Sequence, residues 1–102
     1  MTAEYIVVSK FRVANGMADA VAEAFRSRPR LVDSAPGFVR IEVLSPVEDE
    51  SEFWLVTHWT DEASFRAWHQ SHLYRDSHAG IPKGLKLDPS ATEVRRFRHV
   101  AS

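Results

Sequence analysis

The stretch Phe38–Trp59, FVRIEVLSPVEDESEFWLVTHW, decides the fold. Two runs rich in β-branched and aromatic residues, FVRIEVL (38–44) and EFWLVTHW (52–59), flank SPVEDES (45–51), an acidic segment with a proline. Branched and aromatic side chains fit a pleated, half-buried surface, whereas Pro, Asp and Ser favour turns. The spacing predicts an antiparallel hairpin. Both strands keep apolar residues on both sides: Phe38 and Leu44 against Val39, Ile41 and Val43, and Leu55 against Trp54 and Val56. Helices can cover one face. The other needs cover of its own, and a second copy of the chain packed sheet to sheet would supply it.

Upstream, YIVVSKFRV (5–13) alternates in part, with Tyr5, Val7, Ser9, Phe11 and Val13 on one face and Ser9 its odd polar member. ANG (14–16) and DSAPGF (33–38) carry turn chemistry. Between them MADAVAEAFRSR (17–28) places apolar residues at 17, 20, 21, 24 and 25, the pattern of an amphipathic helix. Pro29 is expected to end or kink it, since proline lacks a backbone donor. Downstream, Thr60 is expected to cap a second helix, with Asp61 and Glu62 suiting its positive end and Phe65 and Trp68 forming an apolar stripe. ATEVRRFRHV (91–100) reads as a last strand. The order β-α-β-β-α-β is the split β-α-β, ferredoxin-like pattern of an α+β fold: an antiparallel sheet with two helices on one face, dimeric through the sheets.

The 102 residues, 44% hydrophobic and 26% charged, make a single globular domain over 1–102 the expectation. A formal net charge of −1 provides no basic field, so neither nucleic acid nor membrane is expected as a partner. There is no cysteine, which removes disulfides, thiolate metal sites and thiol nucleophiles and fits a reducing cytoplasm. The start, MTAEYIVVSK, has too short an apolar run for a signal peptide, and no segment approaches a membrane span.

The chemistry gathers in FRAWHQSHLYRDSHAG (65–80), with one Trp and three His. On a continuous helix Trp68 and His72 lie within about 40° of each other and His78 points elsewhere. Ser71, a good cap, can instead break the helix, after which Tyr74 and His78 share a face at i, i+4. Trp68 and His78 then look into one cavity. A single imidazole with no cysteine is poor for zinc, which wants three or four protein ligands. It suffices for haem, where the porphyrin supplies four nitrogens and the protein one axial bond. The plainer alternatives are a core role for Trp68, surface positions for His69 and His72, and a helix-end position for His78. His58 alternates to the face opposite Thr57 and Trp59 and is expected to be dimer-facing or exposed.

The segment from APGF (35–38) to RDSH (75–78) resembles the central motif of the antibiotic-biosynthesis-monooxygenase superfamily, and within it the IsdG-type haem-degrading monooxygenases. PGF opening the second strand, VTHW ending the third, and Trp68 and His78 with nine residues between them carry the likeness. The resemblance implies that His78 is the axial ligand to haem iron and that Trp68 presses the porphyrin out of plane. It implies a distal hydrogen-bond donor on strand 1, where this chain has Ser9 in place of the family's Asn. Haem is then both cofactor and substrate, with electrons from an external reductase and O2 as co-reactant. Propionates need cationic or wet surroundings: Arg26 or Arg28 is the candidate, the alternative for both being a solvated helix face. Phe25 and Tyr74 complete the implied contacts. Two other readings remain open: a cofactor-free monooxygenase acting on a polyphenol, and a haem-binding sensor without turnover.

Overall fold

The computed structural model describes residues 4–28, 30–71 and 82–102. The elements run β1 (Tyr5–Arg12), α1 (Ala18–Arg26), β2 (Phe38–Leu44), β3 (Glu52–Trp59), α2 (Glu62–His69) and β4 (Glu93–Arg98), with short 3-10 turns at Leu31–Ser34 and Pro89–Ala91. All four strands are antiparallel in one sheet of order β2-β3-β1-β4. This is the expected ferredoxin-like arrangement, with both hairpin strands ending where their composition changes.

Three local details depart from the expectation. Phe38 pairs with Trp59 but Arg40 pairs with His58, so β2 spends one extra residue at its start. This bulge turns Phe38 onto the same face as Ile41 and Val43, where strict alternation would have set it with Leu44. Second, Asp61, and not Thr60, caps α2: its carboxylate accepts the Ser64 backbone N–H at 2.7 Å. Third, α1 stops at Arg26, ahead of Pro29, which lies outside the described residues. Gly37 has a structural reason to be glycine. Its φ is +82°, and a Cβ there would collide with the Ser64 side chain and crowd Thr60, whose backbone N–H donates to the Gly37 carbonyl at 2.8 Å. The start of β2 is therefore pressed against the start of α2.

The core forms two clusters on the helix side of the sheet. Val7, Val32, Trp59 and Trp68 form one, with Phe38 and Phe65 packed against it; Val13, Val21 and Phe53 form the other, with Phe11 and Phe25. Along β1, β3 and β2 a gap separates them. Ser9 lies between Val7 and Phe11, Leu55 between Phe53 and Trp59, and Ile41 between Phe38 and Val43, and none of these three belongs to either cluster. Helix α1 packs one end of the sheet and α2 the other, and among the described residues neither helix covers its middle.

Candidate functional site

Over that uncovered middle lies a cavity of about 530 Å³, within the usual range of small-molecule sites. Its floor is the sheet: Val7, Ser9 and Phe11 from β1, Leu55, Thr57 and Trp59 from β3, and Ile41 from β2. Ser9 faces Leu55 on one side and Val94 on the other, so its hydroxyl stands in an apolar field. The floor's other hydroxyl is occupied, since Thr57 Oγ1 donates to the Val7 carbonyl at 3.3 Å and accepts from the Trp59 indole N–H at 3.0 Å. Trp59 is fully buried, and that bond satisfies its one polar group. The Ser9 hydroxyl has no partner among the described residues. It is the polar group the floor offers to a ligand.

The walls come from the helices. Phe25, on α1, packs at 6.2 Å from Phe11 and 6.0 Å from Phe53 between ring centres. Trp68, on α2, is only 8% exposed and belongs both to the core and to the cavity lining. Trp68 thus holds a core position and a site position at once. Helix α2 then stops at His69, and the Ser71 backbone N–H and hydroxyl both donate to the Trp68 carbonyl, at 2.9 and 2.7 Å. Helix α2 therefore ends just before Ser71, which closes the helix it follows, and the expected restart through Tyr74 and His78 lies outside the described residues.

The rim is cationic. Arg28, Arg30 and His69 line it, and no Asp, Glu or Lys does so among the described residues. Arg28 and Arg30 share Asp33, at 3.2 and 3.5 Å. Arg30 is the one described non-glycine residue with positive φ, at 57°, a conformation that concentrates at ligand sites. It sharpens the turn that carries both arginines to the cavity. An apolar body with a donor beneath it and cations at its mouth suits a flat hydrophobic ligand that carries anionic groups.

The sequence candidates fall as follows. Ser9, Phe25 and Trp68 line the cavity, whereas Arg26 is exposed, pairs with Glu23 at 3.6 Å and does not line it. His72, Tyr74 and His78 lie outside the described residues. Arg30 and His69 are lining residues that sequence reasoning did not nominate. Arg30 sits in a basic cluster whose side chains diverge once α1 ends, and His69 had been set among surface residues; it is exposed, yet its ring stands 5.6 Å from Phe65 beside the cavity.

Residues 4–80 match the antibiotic biosynthesis monooxygenase family. The chain belongs to that family. Among its relatives is the heme oxygenase (mycobilin-producing) of Mycobacterium tuberculosis, 30% identical over 63 residues; the match covers 62% of this chain and 60% of the length of that protein. Among solved structures, the heme-degrader MhuD of Mycobacterium tuberculosis, with two hemes bound in its active site, is 26% identical with a TM-score of 0.74, over 96% of this chain and 97% of that one. SnoaB of Streptomyces nogalater, a cofactor-independent oxygenase, shares the fold at 18% identity and a TM-score of 0.69, over 98% of this chain and 94% of that one. Members of this one fold therefore include proteins with and without haem, and the choice rests on the residues of the site.

Proposed function

We propose that this chain binds haem in the cavity between the sheet and the helices and degrades it oxidatively, releasing iron, with O2 and electrons from an external reductase. One observation carries the reading. Ser9 and Trp68, two of the positions nominated by likeness to haem-degrading enzymes, meet on one apolar cavity with a cationic rim, and the third, His78, lies outside the described residues. The donor set fits such a ligand: apolar walls for the ring, and Arg28 and Arg30 for its carboxylates, which would share these cations with Asp33. His78 would hold the haem iron, and Tyr74 would be a further contact. Bound iron supplies the redox chemistry that the side chains lack. The chain binds and orients the ring, Trp68 sets the shape of the wall against which it rests, Ser9 donates a hydrogen bond from the floor, and the apolar lining excludes water. Arg26 remains a propionate contact only in the sense of a nearby positive charge.

The same reading takes residues 1–102 as one domain, places it in the cytoplasm and makes it a homodimer. No helix among the described residues is long and apolar enough to cross a membrane. For the dimer the support is the open sheet face, where Leu44, Trp54 and Phe97 are 50, 36 and 41% exposed around half-buried Ile6, Val8 and Val56. An obligate interface of this kind buries about 2,000 Å² or more in total.

Titration with haemin tests the function. A Soret band saturating near one equivalent is expected, and its absence would favour the cofactor-free oxygenase. Decay of that band under reductant and air, with catalase present, is the expected sign of turnover. A stable band would leave a haem-binding protein without the reaction.

A further inference from the structure

His58 is the one polar or charged side chain buried among the described residues, at 7% exposure, and it has no part in the cavity. It lies on the opposite face of the sheet, across from Ile6 of β1 and Arg40 of β2. Both of its ring nitrogens meet carboxylates: Nδ1 is 3.1 Å from Glu4 Oε2, and Nε2 is 3.5 Å from Glu42 Oε1. Arg40 reaches the same two carboxylates, at 4.0 Å and 3.6 Å. The four residues form a closed polar island on a face whose other central residues are apolar.

The chemistry of the island is unbalanced when the imidazole is neutral. A neutral ring offers one N–H and one lone pair, whereas ionised carboxylates only accept. One of the two contacts then sets a lone pair against a carboxylate oxygen. The imidazolium donates from both nitrogens and matches both neighbours. Charge gives the same answer: two carboxylates and one guanidinium sum to −1 with neutral His58 and to zero with protonated His58. In an isolated chain, solvent reaches Glu4 and Glu42, whose side chains are 34 and 49% exposed, and screens the mismatch. Covering the face with a second copy would remove that water and bury the mismatch twice.

We infer that the Glu4–His58–Glu42–Arg40 island couples proton uptake to self-association, so that two copies pair sheet to sheet more tightly when His58 is protonated. The inference rests on the proposed dimer. The charged groups facing His58 are Glu4 ahead of β1 and Arg40 and Glu42 on β2. Further along the face Lys10 pairs with Glu52 at 3.6 Å, and on β4 Arg95 pairs with Glu93 at 3.8 Å, flanking apolar Phe97. His99, beyond β4, donates its backbone N–H to the Glu4 carbonyl, but its ring contacts Ser102. The sign follows from linkage: a proton held more tightly in the dimer than in the separate copies strengthens the dimer at lower pH and weakens it at higher pH.

Sedimentation velocity over a dilution series, at about pH 6 and about pH 8, reads the coupling. A tenfold preference per protomer for the protonated ring compounds to at most about a hundredfold in dimer Kd between the two pH values. Glu42→Gln on the half-exposed carboxylate keeps the fold and lets the amide donate to a neutral imidazole, so its dimer Kd is expected to change little with pH. His58→Gln should flatten the dependence too, with circular dichroism confirming that the buried substitution folds. A dimer whose Kd is the same at both pH values in the parent chain, or a Glu42→Gln variant that keeps the full dependence, overturns the coupling and leaves the dimer standing. A monomer at every concentration and pH refutes the dimer itself.

Discussion

Ser9 offers the sharpest separation of function from stability. Its hydroxyl has no partner among the described residues, and the side chains opposite it in the sheet are Leu55 and Val94. Ser9→Ala therefore removes no internal hydrogen bond and leaves no orphaned partner, so stability should stay within about 0.5 kcal/mol of the parent in urea. Under the proposed function the same change removes a hydrogen bond to the reacting ligand. A neutral bond of that kind contributes about 1 kcal/mol, or roughly fivefold in rate. Ser9→Asn restores a longer donor and should match or exceed the parent. The assay is single-turnover decay of the Soret band for the parent and both variants, run beside denaturant unfolding. An alanine variant that decays at the parent's rate would refute the donor role. One that is destabilised by much more than the expected margin would show that the hydroxyl is a structural group after all.

Trp68→Ala empties space in both core and cavity wall and should cost about 3–5 kcal/mol, a large part of a small domain's stability, whereas Trp68→Phe should fold and slow the decay of bound haem; urea unfolding and single-turnover absorbance separate the two effects. His78→Ala is expected to abolish the axially ligated haem spectrum, and His69→Ala to leave that ligation intact; loss of ligation in His69→Ala alone would move the axial role to the rim. The Asp61 carboxyl is held below the ordinary carboxylate range by the Ser64 backbone N–H and then by the Ser64 hydroxyl. Its contribution to α2 is therefore complete above the unfolded carboxylate range and fades as pH falls through the lower folded value; Asp61→Asn should keep the cap and flatten that acid limb of the thermal melting profile.

The strand order and both helices were legible because their signals are local: alternation, a 3.6-residue period, and turn residues between. What escaped was set by contacts distant in sequence. The bulge at Phe38 arises where Gly37 is pressed against Ser64, and no periodicity within β2 announces it. The cap passed from Thr60 to Asp61 because both residue types cap well and the choice depends on which oxygen reaches Ser64. In the site, Ser9 was legible as a polar interruption of an apolar face, and Trp68 as an aromatic on the helix stripe. Arg30 and His69 were not, because a rim is defined by where helices end, and α1 and α2 both stop within a residue or two of it.

The two faces of the sheet follow opposite rules. On the helix face, hydroxyls and indole are satisfied within the floor, except at Ser9, and charge stays at the rim; such a surface accepts a flat apolar guest and directs its polar groups outward. On the open face, the His58 island sits beside apolar Ile6, Val8 and Val56, and the Lys10–Glu52 and Arg95–Glu93 pairs lie further along. Covered by a second copy, such an island would contribute little net stability, because desolvation offsets attraction. In the proposed dimer, the sheet that floors the cavity on one side would meet the second copy with the other.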